Sequence, residues 1–250
     1  MLGLFKRKRE GAAKEIDRDR IPKHVGVIMD GNGRWARAKG LPRSAGHKYG
    51  AVTLENITEY CGNLGIKVVT AYAFSTENWK RPEPEVKSIM ELLYDYLVRA
   101  EEKFRGTNVR LNIIGERSIF DSRIRTAMAS AERVTGKNDG MTLNIAVNYG
   151  GRDEIIRAAR AAARDVQCGK VKPEEIDEEY LSGKMYTSGQ PEVDLIIRPS
   201  GELRLSNFLL WQAAYAEFWF SNINWPAFTE RDMERAIIEF QDRNRRFGGV

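Results

Sequence analysis

His24-Val25-Gly26-Val27-Ile28-Met29-Asp30-Gly31-Asn32-Gly33-Arg34-Trp35 decides how this chain folds. The first six residues are an apolar run of strand length. The run stops at a carboxylate, and the chain then turns through two glycines and an arginine. A metal-binding acid, a cluster of free backbone N–H groups and a fixed positive charge thus fall within one turn, a grouping that can hold a magnesium-bound diphosphate. A plain Asp-Gly-Asn-Gly turn accounts for the glycines but not for the arginine and histidine that follow. Gly31-x-Gly33-x-x-Ala36 also loosely matches the dinucleotide-binding fingerprint. Two features oppose that reading. Arg34 and Trp35 fill positions where an open backbone approach is wanted, and the next strand, Val68 to Phe74, ends in Ser75-Thr76 rather than in an acid to hold a ribose.

Outward from this stretch, apolar runs recur. Val25 to Met29 is followed by Val68 to Phe74, Val109 to Ile114, Met141 to Val147, Val193 to Ile197 and Glu217 to Phe220. Segments of helical period separate them: Thr53 to Leu64, Glu85 to Phe104 with Pro84 before it, Ser118 to Val134, Arg152 to Cys168, and Thr229 as N-cap of a helix to Phe247. This alternation predicts a single-domain α/β fold, a mostly parallel six-stranded sheet covered by helices on both sides. Ligands of such sheets bind at the carboxyl ends of the strands. Three motifs fall there: Asp30 to Trp35, Ser75 to Pro82, and Arg198 to Asn207.

At 250 residues the chain suits one domain, and no Pro/Gly/Ser-rich linker divides it. Residues 1–20 read as a basic flexible tail and 21–250 as the folded domain. The net charge of +5 suits an anionic partner: nucleic acid, anionic lipid or a phosphorylated substrate. Phe5-Lys6-Arg7-Lys8-Arg9 is the densest basic run and predicts a weak peripheral contact with anionic membrane. Aromatic residues are not interleaved with a basic face, so nucleic acid is not expected as a partner. No apolar run approaches the roughly 18 residues of a membrane span, and the start lacks the apolar core of a secretory signal. Cys61 and Cys168 show neither metal spacing nor a disulfide framework. A cytoplasmic protein, at most loosely membrane-associated, is expected. There is no Gly-x-x-x-x-Gly-Lys-Ser/Thr, no His-Glu-x-x-His and no Gly-x-Ser-x-Gly.

Asp30 at the end of a buried strand is costly unless paired or metal-bound, and magnesium takes one or two carboxylates with phosphate oxygens and water. Arg34, Arg43 and His47 extend that site: Leu41-Pro42 turns the chain, Arg43 precedes a helix carrying His47 and Tyr49, and arginine forks suit phosphate oxygens. Arg198, Arg204 and Ser206 form a second anion pocket around the Ser200-Gly201 turn; Arg198 follows an apolar strand, so a bound anion would relieve its burial. Two separate pockets suggest two phosphorylated substrates. Ile89, Leu92, Leu93, Tyr96 and Leu97 make an apolar helix stripe, by default core packing, but also able to line a slot for a hydrocarbon tail.

At these residues the chain resembles a family. His24 through Ala36 is similar to the first signature of cis-prenyltransferases, in particular bacterial undecaprenyl diphosphate synthases. Further matches follow in order: Gly46-His47, Ala73 to Trp79, Asn148-Tyr149-Gly150-Gly151-Arg152, Ile197 to Glu202 with Arg204 to Gln212, and Arg245-Arg246-Phe247-Gly248-Gly249. The resemblance covers roughly residues 22 to 249. It implies a homodimer with a hydrophobic tunnel, condensing isopentenyl diphosphate sequentially onto farnesyl diphosphate with magnesium. Carried over, Asp30 and Asn78 are the expected catalytic residues, and Asp30 and Glu217 the metal-linked acids. Gly31, Asn32, Gly33, Arg34, Trp35, Arg43 and His47 are expected at the allylic diphosphate. Arg198, Arg204 and Ser206 are expected at isopentenyl diphosphate. Ser75, Glu77, Asn78, Trp79 and Arg81 belong to a loop that closes over substrate, and Arg246 and Gly248 to an element that reaches across the dimer. Pro199-Ser200 departs from the Thr-Gly common in many bacterial members, and Ala227 stands where an aspartate is common, which leaves a helix entry or interface contact in question. The paired Asp-Asp-x-x-Asp motifs of trans-type synthases are absent. A non-catalytic partner subunit is the rival reading; it would lack the first-loop aspartate and arginine, and both are present.

Overall fold

The computed structural model describes residues 15–104 and 106–243. Its strands are β1 (His24–Ile28), β2 (Val68–Ser75), β3 (Val109–Ile114), β4 (Met141–Tyr149), β5 (Leu195–Arg198) and β6 (Glu217–Phe220). They form one six-stranded sheet in the order β3-β4-β2-β1-β5-β6, and every pairing is parallel. The predicted six-stranded α/β architecture is therefore present. Residues of β1 are buried along its whole length, as an inner strand covered on both faces requires. The chain leaves β1 toward β2 on one side and later returns to its other side as β5, with Val25 opposite both Val69 and Leu195. That reversal opens a crevice at the carboxyl ends of β1 and β5.

The helices are α1 (Asn32–Ala38), α2 (Arg43–Leu64), α3 (Glu83–Val98), α4 (Ala100–Phe104), α5 (Ser122–Thr135), α6 (Gly151–Gln167), α7 (Glu178–Ser182) and α8 (Glu230–Gln241). One apolar core joins the sheet residues Val25, Val27, Val69 and Leu111 to Leu54, Leu93, Met128 and Ile237 of the helices. A second, smaller core packs Ile28, Tyr72 and Ile196 beneath Phe208 and Leu209 of the loop after β5.

Several boundaries differ from the expected ones. α2 begins at Arg43 and runs unbroken from the helix expected to carry His47 and Tyr49 through the periodic segment Thr53 to Leu64. Gly46 and Gly50 weaken the helical signal there, yet a side chain at Gly46 would run into the Asn32 carbonyl of α1. The single helix expected over Glu85 to Phe104 is two, turning at Arg99, with Tyr96 edge-on to Phe104. Asp121, not Ser118, caps α5, its carboxylate accepting the Ile124 N–H at 2.8 Å. Thr229 caps α8 as expected, with Asp232 closing the capping box. Ala227 lies in the short turn Trp225–Ala227 just before it, so that helix entry is intact.

A polar row crosses the sheet inside this core. Asn112 donates to Asn144 at 2.8 Å, and Asn144 donates to Thr70 Oγ1 at 2.8 Å. His24 Nε2 lies 2.7 Å from Thr70 Oγ1, and Nδ1 lies 2.8 Å from the Pro191 carbonyl. Only Nδ1–H can serve that carbonyl, so Nε2 accepts the threonine hydroxyl in a neutral ring. Burial opposes the charged imidazole and lowers its pKa from 6.5 to about 4, against weaker opposition from the Pro191 carbonyl and Asp194. Below pH 6.5 the unfolded chain takes up a proton that the folded chain refuses until about pH 4. Folding stability should therefore fall as pH drops through that window, by about 2 kcal/mol from pH 7 to pH 5 for this group. Denaturant unfolding at the two pH values checks this, and His24→Gln should flatten the slope.

Candidate active site

Asp30 emerges from β1 with its carboxylate shared three ways. Oδ1 accepts the Gly31 N–H at 2.6 Å and Arg34 Nη2 at 3.2 Å; Oδ2 accepts Arg198 Nη2 at 3.0 Å. Burial alone would raise its pKa, but hydrogen bonds from Arg198 and Gly31, with the charges of Arg198 and Arg34, outweigh it and hold the carboxyl below the usual carboxylate range. Arg198 ends β5 and is only 4% exposed. Its Nη1 donates to Ser206 Oγ at 2.7 Å and to the Arg204 carbonyl. The two anion pockets read from the sequence are thus one site, joined by an Asp30–Arg198 pair that spans 168 positions of chain.

The loop after β5 is held to the loop after β1. Arg34 Nη1 donates to the Ser200 carbonyl at 2.8 Å and lies 3.6 Å from Glu202. Ser200 is buried in the left-handed region, φ +79°, and its hydroxyl donates to Asn224 Oδ1 at 2.7 Å. Trp225 N–H closes the arrangement on the Asp30 carbonyl at 2.9 Å. Gly31, at φ +92°, sits against this buttress, where a Cβ would collide with Asn224 Oδ1 and Ser200 Oγ. The N–H groups of Asn32 and the residues after it open α1 beside Asp30.

After β2 the chain enters a tight turn, Thr76–Lys80, fixed by a capping box between Ser75 and Asn78, in which Asn78 Oδ1 accepts the Ser75 N–H at 3.1 Å. Asn207 donates to Glu77 at 3.0 Å and so ties this turn to the β5 loop. At the mouth of α3, Glu85 gathers three bases: Arg81 at 3.0 Å, Arg43 at 3.3 Å and His47 at 3.5 Å. Burial of His47 and the neighbouring Arg81 and Arg43 lower its pKa, against the pull of Glu85, so its ring is neutral near pH 7. Its Nε2 has no hydrogen-bond partner among the described residues.

These loops enclose a polar cleft of about 1290 Å³, counted out to its open mouth, lined by Asp30, Asn78, Arg81, Arg198, Arg204 and Ser206 among others. Met29, Asn32, His47 and Ala73 also line a second, mostly apolar space between the sheet, α2 and α3. Its walls are Leu54, Phe74, Ile89, Leu93, Tyr96, Ile145 and Val147. The charged cleft and the apolar cavity therefore adjoin, with Met29, Asn32, His47 and Ala73 as their common wall.

The family model described as "Putative undecaprenyl diphosphate synthase" matches residues 28–248. The chain belongs to this prenyltransferase family. It is 47% identical over 252 residues to an isoprenyl transferase of Clostridium perfringens, covering 100% of both chains. It is 48% identical to one of Heliobacterium mobile over 96% of this chain and 93% of that one. Among solved structures, lavandulyl diphosphate synthase from Lavandula x intermedia, in complex with dimethylallyl diphosphate, superposes with a TM-score of 0.89 at 35% identity, over 92% of this chain and 100% of that one. A "probable undecaprenyl diphosphate synthase" from Campylobacter jejuni matches with a TM-score of 0.76 at 40% identity, over 91% and 99%.

Most of the expected family residues meet in the cleft: Asp30, Asn32, His47, Ser75, Glu77, Asn78, Arg81, Arg198, Arg204 and Ser206. Gly31 and Arg34 bond to Asp30, and Gly33 lies against Arg43, which pairs with Glu85. Trp35 instead packs on Tyr49, ring centroids 4.7 Å apart, because α1 carries it away from the opening. Trp79 turns inward under its loop, donating to Asn148 at 2.8 Å and edge-on to Phe74. Glu217 begins β6 at the level of Leu195 and pairs with Arg243 at 2.8 Å. Leu195 lies opposite Val25, so Glu217 is about five residues, roughly 16 Å of strand rise, below Asp30. One chain does not bring these two acids together. Arg246 and Gly248 lie outside the described residues. Glu85, Glu202, Tyr72 and Asn224 were not foreseen. An acid in a first helical turn is an ordinary helix signal, which hid Glu85.

The buttress yields a prediction. Gly31→Ala adds a Cβ at positive φ, costing about 1–2 kcal/mol, and displaces Asn224 or Ser200. Its unfolding free energy should drop by at least that much, and its affinity for inorganic pyrophosphate, measured by calorimetry, should fall tenfold or more.

Proposed function

We propose that this chain condenses isopentenyl diphosphate sequentially onto farnesyl diphosphate with magnesium. The product is a long-chain polyprenyl diphosphate of the undecaprenyl class, a lipid-carrier precursor for cell-wall synthesis. The observation that carries this reading is the adjoining of two spaces: Asp30, Arg81, Arg198 and Arg204 line the polar one, and the largely apolar one shares Met29, Asn32, His47 and Ala73 with it. Such a pair of spaces fits a molecule with a diphosphate head and a hydrocarbon tail. The dimethylallyl diphosphate held by the lavandulyl diphosphate synthase structure is a ligand of that chemical kind.

The allylic diphosphate is taken to lie against Arg34, Arg43, His47 and the N–H groups at the start of α1, its tail directed past Ala73 into the apolar cavity. Isopentenyl diphosphate is assigned to Arg198, Arg204 and Ser206. The allylic C–O bond breaks as the terminal carbon of isopentenyl diphosphate bonds to the allylic carbon; the guanidinium groups and N–H donors stabilise the charge growing on the leaving diphosphate. The positive charge left at C3 of the isopentenyl unit is discharged by loss of a proton from C2, which forms the new double bond, and the proton passes to a diphosphate oxygen. Asn78 has its amide oxygen engaged by Ser75, which leaves its Nδ2 to orient a diphosphate. Holding both reacting carbons in register can supply several kcal/mol, up to about 7–11 in the best cases. The tail then slides deeper, and cavity depth ends elongation.

The donor set suits magnesium. Asp30 is one half-buried carboxylate facing the cleft, and among the described residues no cluster of three potential ligands surrounds it. Magnesium takes few protein ligands and fills its shell with water and phosphate oxygens. Asp30 would hold it, and the ion when bound would neutralise diphosphate charge.

A homodimer fits the β6 side of the molecule. β6 is an edge strand, Phe218 and Phe220 stack there with centroids 6.0 Å apart, and Tyr215 and Leu203 are 66% and 75% exposed. Exposed apolar clusters of this kind mark contact surfaces. Among the described residues no helix is long and apolar enough to cross a membrane, and a cytoplasmic enzyme remains the reading.

Purified protein given farnesyl diphosphate, labelled isopentenyl diphosphate and magnesium should make butanol-soluble polyprenyl products, sized by chromatography. Asp30→Ala should lose at least 100-fold in turnover, about 2.7 kcal/mol, while keeping its circular dichroism. Near-normal turnover in that variant would refute the role given to Asp30.

A further inference from the structure

Between Asp30 and Glu55 the sequence has no acid and five cations, Arg34, Arg37, Lys39, Arg43 and Lys48. Arg34 and Arg43 turn toward the cleft and pair with Asp30 and Glu85. Arg37, Lys39 and Lys48 have no ion-pair partner among the described residues, and all three are exposed. Large apolar side chains stand among them. Leu41, in the link between α1 and α2, is 39% exposed; Tyr49 and Val52, one turn apart on α2, are 51% and 53% exposed. Trp35 stacks on Tyr49 from α1. The opposite face of α2 presents His47, Gly50, Ala51 and Leu54 to the apolar cavity. One helix thus separates the proposed hydrocarbon slot from a surface that is basic, aromatic and aliphatic at once. Glu55 ends the patch, and Lys103 neutralises it.

We propose that this α1–α2 shoulder docks on an anionic lipid bilayer. Charge complementarity selects the occupant: clustered lysine and arginine without acids are drawn to an anionic leaflet, each by roughly fivefold in affinity. Tyrosine and tryptophan favour the headgroup boundary, and exposed leucine and valine insert beneath it. Docking here seats the molecule with its cleft beside the surface that must receive a long polyprenyl product. In that respect the inference rests on the proposed function, but it concerns a surface outside the cleft.

Sedimentation with sucrose-loaded vesicles, using the full chain without substrate, tests it and leaves the chemistry aside. The wild type should partition onto phosphatidylglycerol-containing vesicles and not onto pure phosphatidylcholine. Lys39→Glu/Lys48→Glu should lower that partition at least tenfold, and Leu41→Ser/Tyr49→Ser should lower it by a similar factor. Both variants should keep wild-type turnover in detergent and the wild-type mass in sedimentation equilibrium. If both bound vesicles like the wild type, with the basic run Phe5 to Arg9 still in place, the shoulder would not be the docking surface. A change of oligomeric state in either variant would make it a contact between copies, and the proposal would fall.

Discussion

Asp30 leaves β1 with its carboxylate between Arg34, one helical turn along the chain, and Arg198, which arrives from β5 on the neighbouring strand. Arg198 is almost wholly buried, and a buried ion that loses its partner costs about 3–5 kcal/mol. The pair therefore fixes the relative position of two loops that the sequence places far apart. Ser206 and the Arg204 carbonyl engage Nη1 of Arg198, while its Nε has no partner among the described residues. Removing Asp30 thus leaves that guanidinium partly satisfied, and the fold survives while the cleft loses its only first-loop acid.

Charge balance explains how so basic a cleft holds its shape without a ligand. Glu85 gathers Arg43, Arg81 and His47, and Glu202 stands by Arg34 and Arg204. A diphosphate offers the same guanidinium groups more oxygens and more charge than a carboxylate does. On the proposed reading it displaces these pairings rather than entering a field of unpaired cations. His47, neutral and with its buried Nε2 3.5 Å from Glu85, lines the cleft without adding repulsion among the bases.

The parallel sheet and the Asp30 turn were legible because a buried inner strand must be apolar from end to end, and its stopping at an acid followed by glycines has few other meanings. The merging of the two anion pockets was not legible. It depends on β5 lying beside β1, a fact of sheet order, and the sequence reading supplied a ligand for Arg198 where the fold supplies Asp30. The helix carrying His47 and Tyr49 was legible after the Leu41-Pro42 turn, but its continuity with the Thr53 segment was not, since Gly46 and Gly50, which make room for Asn32 of α1, have low helix propensity. Asn224 gave no signal at all, since an asparagine before Trp-Pro reads as a turn residue, and only the three-dimensional approach of Ser200 and Gly31 gives it a purpose.

The central claim is that Asp30 joins a cation-bound diphosphate to the β1 loop. Calorimetric titration of inorganic pyrophosphate, with and without magnesium, into the wild type and Asp30→Asn tests it most directly. Magnesium should tighten pyrophosphate binding to the wild type and do little for the variant, whose metal-free affinity should equal or exceed that of the wild type because a repelling charge is gone. Equal magnesium dependence in the two proteins would contradict the account.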